Sequence, residues 1–113
     1  MRWRLATAFL LAATAARADI DCDNAKNQNE LNTCAEDNYR AADKTMNELW
    51  AALDEATRIK LRPGQRAWIA ARDVKCKATA DEAEGGSMYP LLYFGCMTDQ
   101  TRERTRWLRA HAE

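Results

Sequence analysis

From Asn29 to Leu53 the apolar residues Leu31, Ala35, Tyr39, Ala42, Met46, Leu49 and Leu53 recur in alternating steps of three and four. Such spacing is the seam of an amphipathic helix, because 3.6 residues per turn return those positions to one face. The stretch from Asp54 to Gly64 is expected to hold a turn, and Pro63-Gly64 either opens the next helix or kinks one already begun near Thr57. From Gln65 to about Ala80, Trp68, Ala71 and Val74, with Ile69 alongside, predict a second helix. Gly85-Gly86-Ser87 breaks it. A third helix is predicted from about Pro90 to Ala110 on Leu91, Phe94, Met97, Thr101, Thr105 and Leu108, a stripe whose threonines make it the least apolar of the three. No period-two alternation marks a strand, and there is no repeat or low-complexity tract. The expected fold class is all-α, a small up-down-up three-helix bundle.

Folding the first helix back about a turn near residue 58 sets Asp43 level with Arg72 and Asp73. Folding the third back about Gly85-Gly86 brings Cys96 within about a turn of Cys76, so that Cys22, Cys34, Cys76 and Cys96 gather at one end. Their spacings of 12, 42 and 20 contain no close pair of the kind zinc favours, and the one histidine, His111, is at the far terminus, so a disulfide framework is expected rather than a metal site. Of three connectivities the folding favours Cys22 with Cys34 and Cys76 with Cys96; the crossed pairing stays open. Two bridges would each add about 2 to 4 kcal/mol to a domain with a modest core.

Cysteine usage of this kind points to export, and the first 18 residues carry the matching signal. Arg2 and Arg4 supply a positive start, Leu5 to Ala13 a short apolar run, and Ala16-Arg17-Ala18 the small residues read by a signal peptidase, so cleavage is expected before Asp19 and a single domain over 19–113. The apolar run is far shorter than the roughly 20 residues of a membrane crossing, so no span is expected. Cys22 follows Asp19-Ile20-Asp21 rather than a small-residue box, which argues against a lipid anchor. The leader takes Arg2, Arg4 and Arg17 with it and no acid, reducing 17 bases to 14 against 17 acids, a net of −3. That charge disfavours nucleic acid or an anionic membrane as partner and suits a basic protein.

Across the mature chain several elements stand in a recognisable order: Asp21-Cys22 through Ala25, Glu30-Leu31-Asn32-Thr33-Cys34-Ala35, and Ala42-Asp43-Lys44 through Asn47. Gln65-Arg66-Ala67-Trp68-Ile69 through Arg72-Asp73 to Cys76 follows, then Gly85-Gly86-Ser87, then Cys96-Met97-Thr98 through Thr101-Arg102-Glu103-Arg104. In these the chain resembles the LprI-type lysozyme-inhibitor family of small exported bacterial domains. It departs from the family's pattern at Pro63-Gly64, and it lacks the lipid-anchoring cysteine of the namesake. The resemblance implies a helical domain in the periplasm or secreted, able to inhibit lysozyme, the enzyme that cuts bacterial peptidoglycan. It assigns no inhibitory residue.

Two groups of residues invite a role. Gln65, Trp68 and Arg72 share one face of the second helix, as Asp43 and Asn47 share one of the first. They are expected to form a structural network, with Arg72 paired to Asp43 and Trp68 at the centre, in preference to an exposed recognition patch. Gly85, Gly86, Ser87, Met88 and Tyr89 form the candidate binding loop, although Ser87 also suits a helix N-cap. Trp50 and Trp107 fall off the main stripes and should be partly exposed. No catalytic constellation converges. Glu48, Asp54, Glu55 and Glu103 belong to solvated helix faces, and the cysteines are expected to be paired. No phosphate loop, zinc motif or dinucleotide fingerprint is present, so no metal, cofactor or enzymatic activity is expected. The reading is a binding protein, with lysozyme as leading partner and an envelope or stress-protection module with another partner as the alternative.

Overall fold

The structure, a computed structural model, describes residues 22–112; the expected leader, residues 1–18, lies outside them. Three long helices follow one another: α1 over Gln28–Ala52, α2 over Glu55–Ala80 and α3 over Tyr89–His111, with a 3-10 turn at Asp81–Ala83. No strand occurs among the described residues.

Each helix begins where a side chain or proline can serve its free amides. The Asn27 side chain accepts the Glu30 amide at 2.8 Å, and Asp54 accepts the Thr57 amide at 2.8 Å. That amide bond holds the Asp54 carboxyl below its ordinary value. Pro90 sits in the first turn of α3, where a missing N–H costs nothing. Ser87 does not cap this helix; Met88 occupies the cap position without a side-chain bond. The α1–α2 connection is only Leu53-Asp54, and the Arg58 guanidinium closes it by donating to the Ala51 and Leu53 carbonyls. The turn expected over Asp54 to Gly64 is therefore the start of α2, which runs through Pro63. Pro63 removes one rung, and the carbonyl it leaves belongs to the exposed Ile59.

The shorter turn resets the register between α1 and α2. Met46 now faces Gln65, and Tyr39 faces Arg72. α3 lies alongside α1 in the same direction, with Tyr39 and Phe94 rings 5.9 Å apart, and against α2 in the opposite one, so the bundle is up-down-up. Cys22–Cys34 and Cys76–Cys96 are both bridged, with Cα separations of 5.8 and 5.4 Å, and no cysteine is free. Both bridges sit at the end where α2 turns into α3.

The core is narrow and partly polar. Its apolar part is Ala35, Ala42, Met46, Leu53, Cys76, Ala80, Met97 and Leu108; Gln65, Arg72, Thr98, Thr101 and Thr105 are buried beside them. Thr105 satisfies its hydroxyl on the Thr101 carbonyl, whereas the Thr98 hydroxyl has no partner among the described residues. Replacing Thr98 with valine keeps the shape and removes that orphan, so Thr98→Val is expected to add up to about 1 kcal/mol. A higher urea midpoint by circular dichroism is the expected readout; a lower one would mean that the hydroxyl is satisfied in solution.

Candidate functional site

The sequence singles out a network and a loop, and the structure places them at different levels of the bundle. In the network, the Arg72 guanidinium is 8% exposed, donates to Thr101 Oγ1 at 3.2 Å and to Asp73 Oδ1 at 3.0 Å, and lies 5.8 Å and 5.1 Å from the Tyr39 and Trp68 rings. The expected Arg72–Asp43 pair is not formed. The Leu53-Asp54 turn places Tyr39, not Asp43, opposite Arg72, and Asp43 instead accepts from Asn47 one turn on. Burial pushes the Tyr39 phenol above its ordinary pKa, with the neighbouring Arg72 cation acting in the opposite direction.

Trp68 is shared. Arg104 lies 5.6 Å from its ring and 3.9 Å from that of Trp107, and its Nε donates to Gln65 Oε1 at 2.8 Å. Trp107 in turn stacks on His111 at 3.8 Å. Arg104 thus ties α3 to α2 through Trp68 and Gln65, and Arg72 ties α2 to Tyr39 of α1 and Thr101 of α3, where aliphatic side chains are scarce. Trp107 is half-buried, as its place off the apolar stripe of α3 suggests, but its pairing with Arg104 escapes the sequence reading; their i, i+3 spacing is the signal that was available.

The loop is at the stapled end. Gly85 has φ +81°, a conformation that favours glycine, and reverses the chain after the 3-10 turn, while the Gly86 amide donates to the Ala83 carbonyl. Asn32 of α1 donates to the Ser87 carbonyl at 2.8 Å, so the loop is held to the first helix as well as by the Cys76–Cys96 bridge on either side of it. Met88 stands 46% exposed, and Tyr89 stacks on Tyr93. Asp81, Glu82 and Glu84 flank this loop, and only Asp81 has an ion-pair partner, Lys77, among the described residues.

Folding separates the charges in a way that the chain's overall balance conceals. The stapled half, residues 22–40 and 70–99, carries nine acids and five bases; the other half, 41–69 and 100–112, carries five acids and nine bases. The described body is neutral overall, −4 at one end and +4 at the other. Three arginines of the basic half, Arg102, Arg106 and Arg109, line a groove between α3 and Ala41, Ala42 and Thr45 of α1. No group of three or more metal-ligating side chains occurs among the described residues, and none of their helices is long and apolar enough to cross a membrane.

A sequence model of the family described as "Lysozyme inhibitor LprI" matches residues 22–108. An uncharacterized protein of Rhizobium meliloti (strain 1021) is 36% identical over 114 residues, a match covering 86% of this chain and 82% of the relative. No solved structure matches the chain.

Proposed function

Starting from a chain that belongs to the LprI lysozyme-inhibitor family, we propose that it is an exported, non-enzymatic binding protein that inhibits lysozyme by covering its substrate cleft. On this reading the first 18 residues are a cleaved signal peptide, and residues 19–113 act as one domain in the periplasm or outside the cell, where disulfides persist. The observation that carries the mechanism is the acidic stapled end. Asp81, Glu82 and Glu84 lead into a loop braced by Cys76–Cys96 and by Asn32, and Met88 projects from it beside the half-buried Tyr89. An anionic tip steers toward a basic enzyme, and a braced loop loses little conformational freedom when it docks. The inhibitor contributes no chemistry; it occupies the space that peptidoglycan needs.

The test is titration of the oxidised 19–113 domain into a lysozyme assay on peptidoglycan, with direct binding followed at low and moderate salt. Stoichiometric inhibition that weakens with salt is expected. The variant Asp81→Asn/Glu82→Gln/Glu84→Gln should slow association about tenfold and flatten the salt dependence, since charges at an interface rim act mainly on the on-rate. No binding at tens of micromolar would overturn the proposal and direct attention to another envelope partner.

A further inference from the structure

The acidic end gives the basic half no role, and that half carries the more defined surface. Arg102, Arg106 and Arg109 follow at i, i+4 and i+7 along one side of α3, a span of about 10 Å at the helical rise. They border a groove of about 320 Å³ whose far wall is Ala41, Ala42 and Thr45 of α1. These short side chains leave the guanidinium groups room, and no described carboxylate lies within salt-bridge reach of Arg106 or Arg109. Beyond Arg102 a second hollow runs past Leu91, Gly95 and Thr98. Asp99 stands at that upper end, so an anion is favoured at the lower one.

We propose that this α1–α3 groove docks the protein on an anionic phospholipid membrane, with Arg102, Arg106 and Arg109 taking lipid phosphates. Guanidinium forks match phosphate oxygens two at a time, and three along one groove match successive headgroups better than a single small anion. The net charge of the whole basic half, rather than of the groove alone, favours an extended anionic surface over an isolated ligand. Arg58, Lys60, Arg62 and Arg66 of α2 belong to the same half, and Ile59 among them is 57% exposed. Docked by this half, a protein with no spanning helix among its described residues would keep its acidic end away from the similarly charged membrane. The inference does not depend on lysozyme being the partner of that end.

Co-sedimentation of the oxidised domain with vesicles containing phosphatidylglycerol, against vesicles of phosphatidylcholine alone, tests it. Salt-sensitive binding to the anionic vesicles only is expected. Arg106→Gln/Arg109→Gln should weaken it about thirtyfold, roughly fivefold for each cation removed near the surface. The charge-matched control Lys26→Gln/Lys75→Gln, on the acidic half, should change it less than twofold. Absence of binding at low salt, or equal loss in the two variants, would overturn the groove as the docking site. Displacement by inorganic phosphate at matched ionic strength would overturn the membrane as its occupant in favour of a free anion, and a salt-sensitive dimer formed without lipid would do so in favour of a second copy of the chain. Both double variants should leave lysozyme titration unchanged, so loss of the membrane result and loss of the inhibitor result are read separately.

Discussion

Replacing Cys76 and Cys96 together by serine is expected to cost about 3 kcal/mol, whereas the same change at Cys22 and Cys34 should cost clearly less. Chain entropy alone does not predict the difference: loops of 20 and 12 residues differ by only about half a kcal/mol in closure entropy. What differs is what each bridge holds. Cys22–Cys34 ties a short lead-in segment to the first turns of α1, so its loss releases that segment and leaves the three helices in place. Cys76–Cys96 joins α2 to α3, whose other cross-helix polar contacts include the Arg104–Trp68 ring contact and the Arg72–Thr101 and Arg104–Gln65 hydrogen bonds; Cys76 itself is 0% exposed, so the serine hydroxyl would also be buried. In a domain of this size each kcal/mol is worth about 4 to 8 °C in Tm, and a fall of at least 10 °C is expected for the α2–α3 bridge. Equal losses for the two pairs would show that the lead-in segment contributes as much to the fold as the α2–α3 contact.

The same contrast marks where the sequence was readable. α1 was legible almost to its ends because Leu31, Ala35, Tyr39, Ala42, Met46 and Leu49 keep strict helical spacing, and the preferred disulfide pairing, against a crossed rival the sequence left open, is the one the structure has. The α1–α2 turn was misplaced because Pro63-Gly64 is a strong local stop signal, while Leu53-Asp54 has no glycine or proline to announce it. An N-cap at Asp54 and a buried Leu53 outweighed the proline, whose freed carbonyl is at an exposed residue. That one displacement moved the partner of Arg72 from Asp43 to Asp73 and Thr101. The separation of charge was not legible for a different reason. Net charge is a sum over the chain, whereas a surface is a sum over neighbours, and antiparallel packing set the arginines of α3 beside the basic first turns of α2.

Arg72 is the residue on which this packing turns, and Arg72→Ala is expected to destabilise the fold by about 3 kcal/mol. Truncation removes a nearly buried guanidinium from between two rings, leaves Asp73 without its cation and withdraws a donor from Thr101, which is 0% exposed. Arg72→Lys should recover less than half of the loss, because an ammonium keeps the charge but has neither the planar face for Tyr39 and Trp68 nor a fork that reaches Asp73 and Thr101 together. Arg40→Ala provides the scale for an ordinary surface pair. Arg40 also bonds a carboxylate, that of Glu36, but its side chain is 71% exposed, and its loss should stay within about 0.5 kcal/mol. Urea unfolding of the three variants measures the series, and a double-mutant cycle with Thr101→Val isolates the buried bond, for which a coupling of about 1 kcal/mol is expected. An Arg72→Ala cost close to that of Arg40→Ala would mean that the rings and threonines close over the gap without the cation. The large cost expected instead follows from the narrow core: α3 brings Thr101 to the helix interface where a leucine would ordinarily stand, and the guanidinium is the group that reaches its hydroxyl from α2.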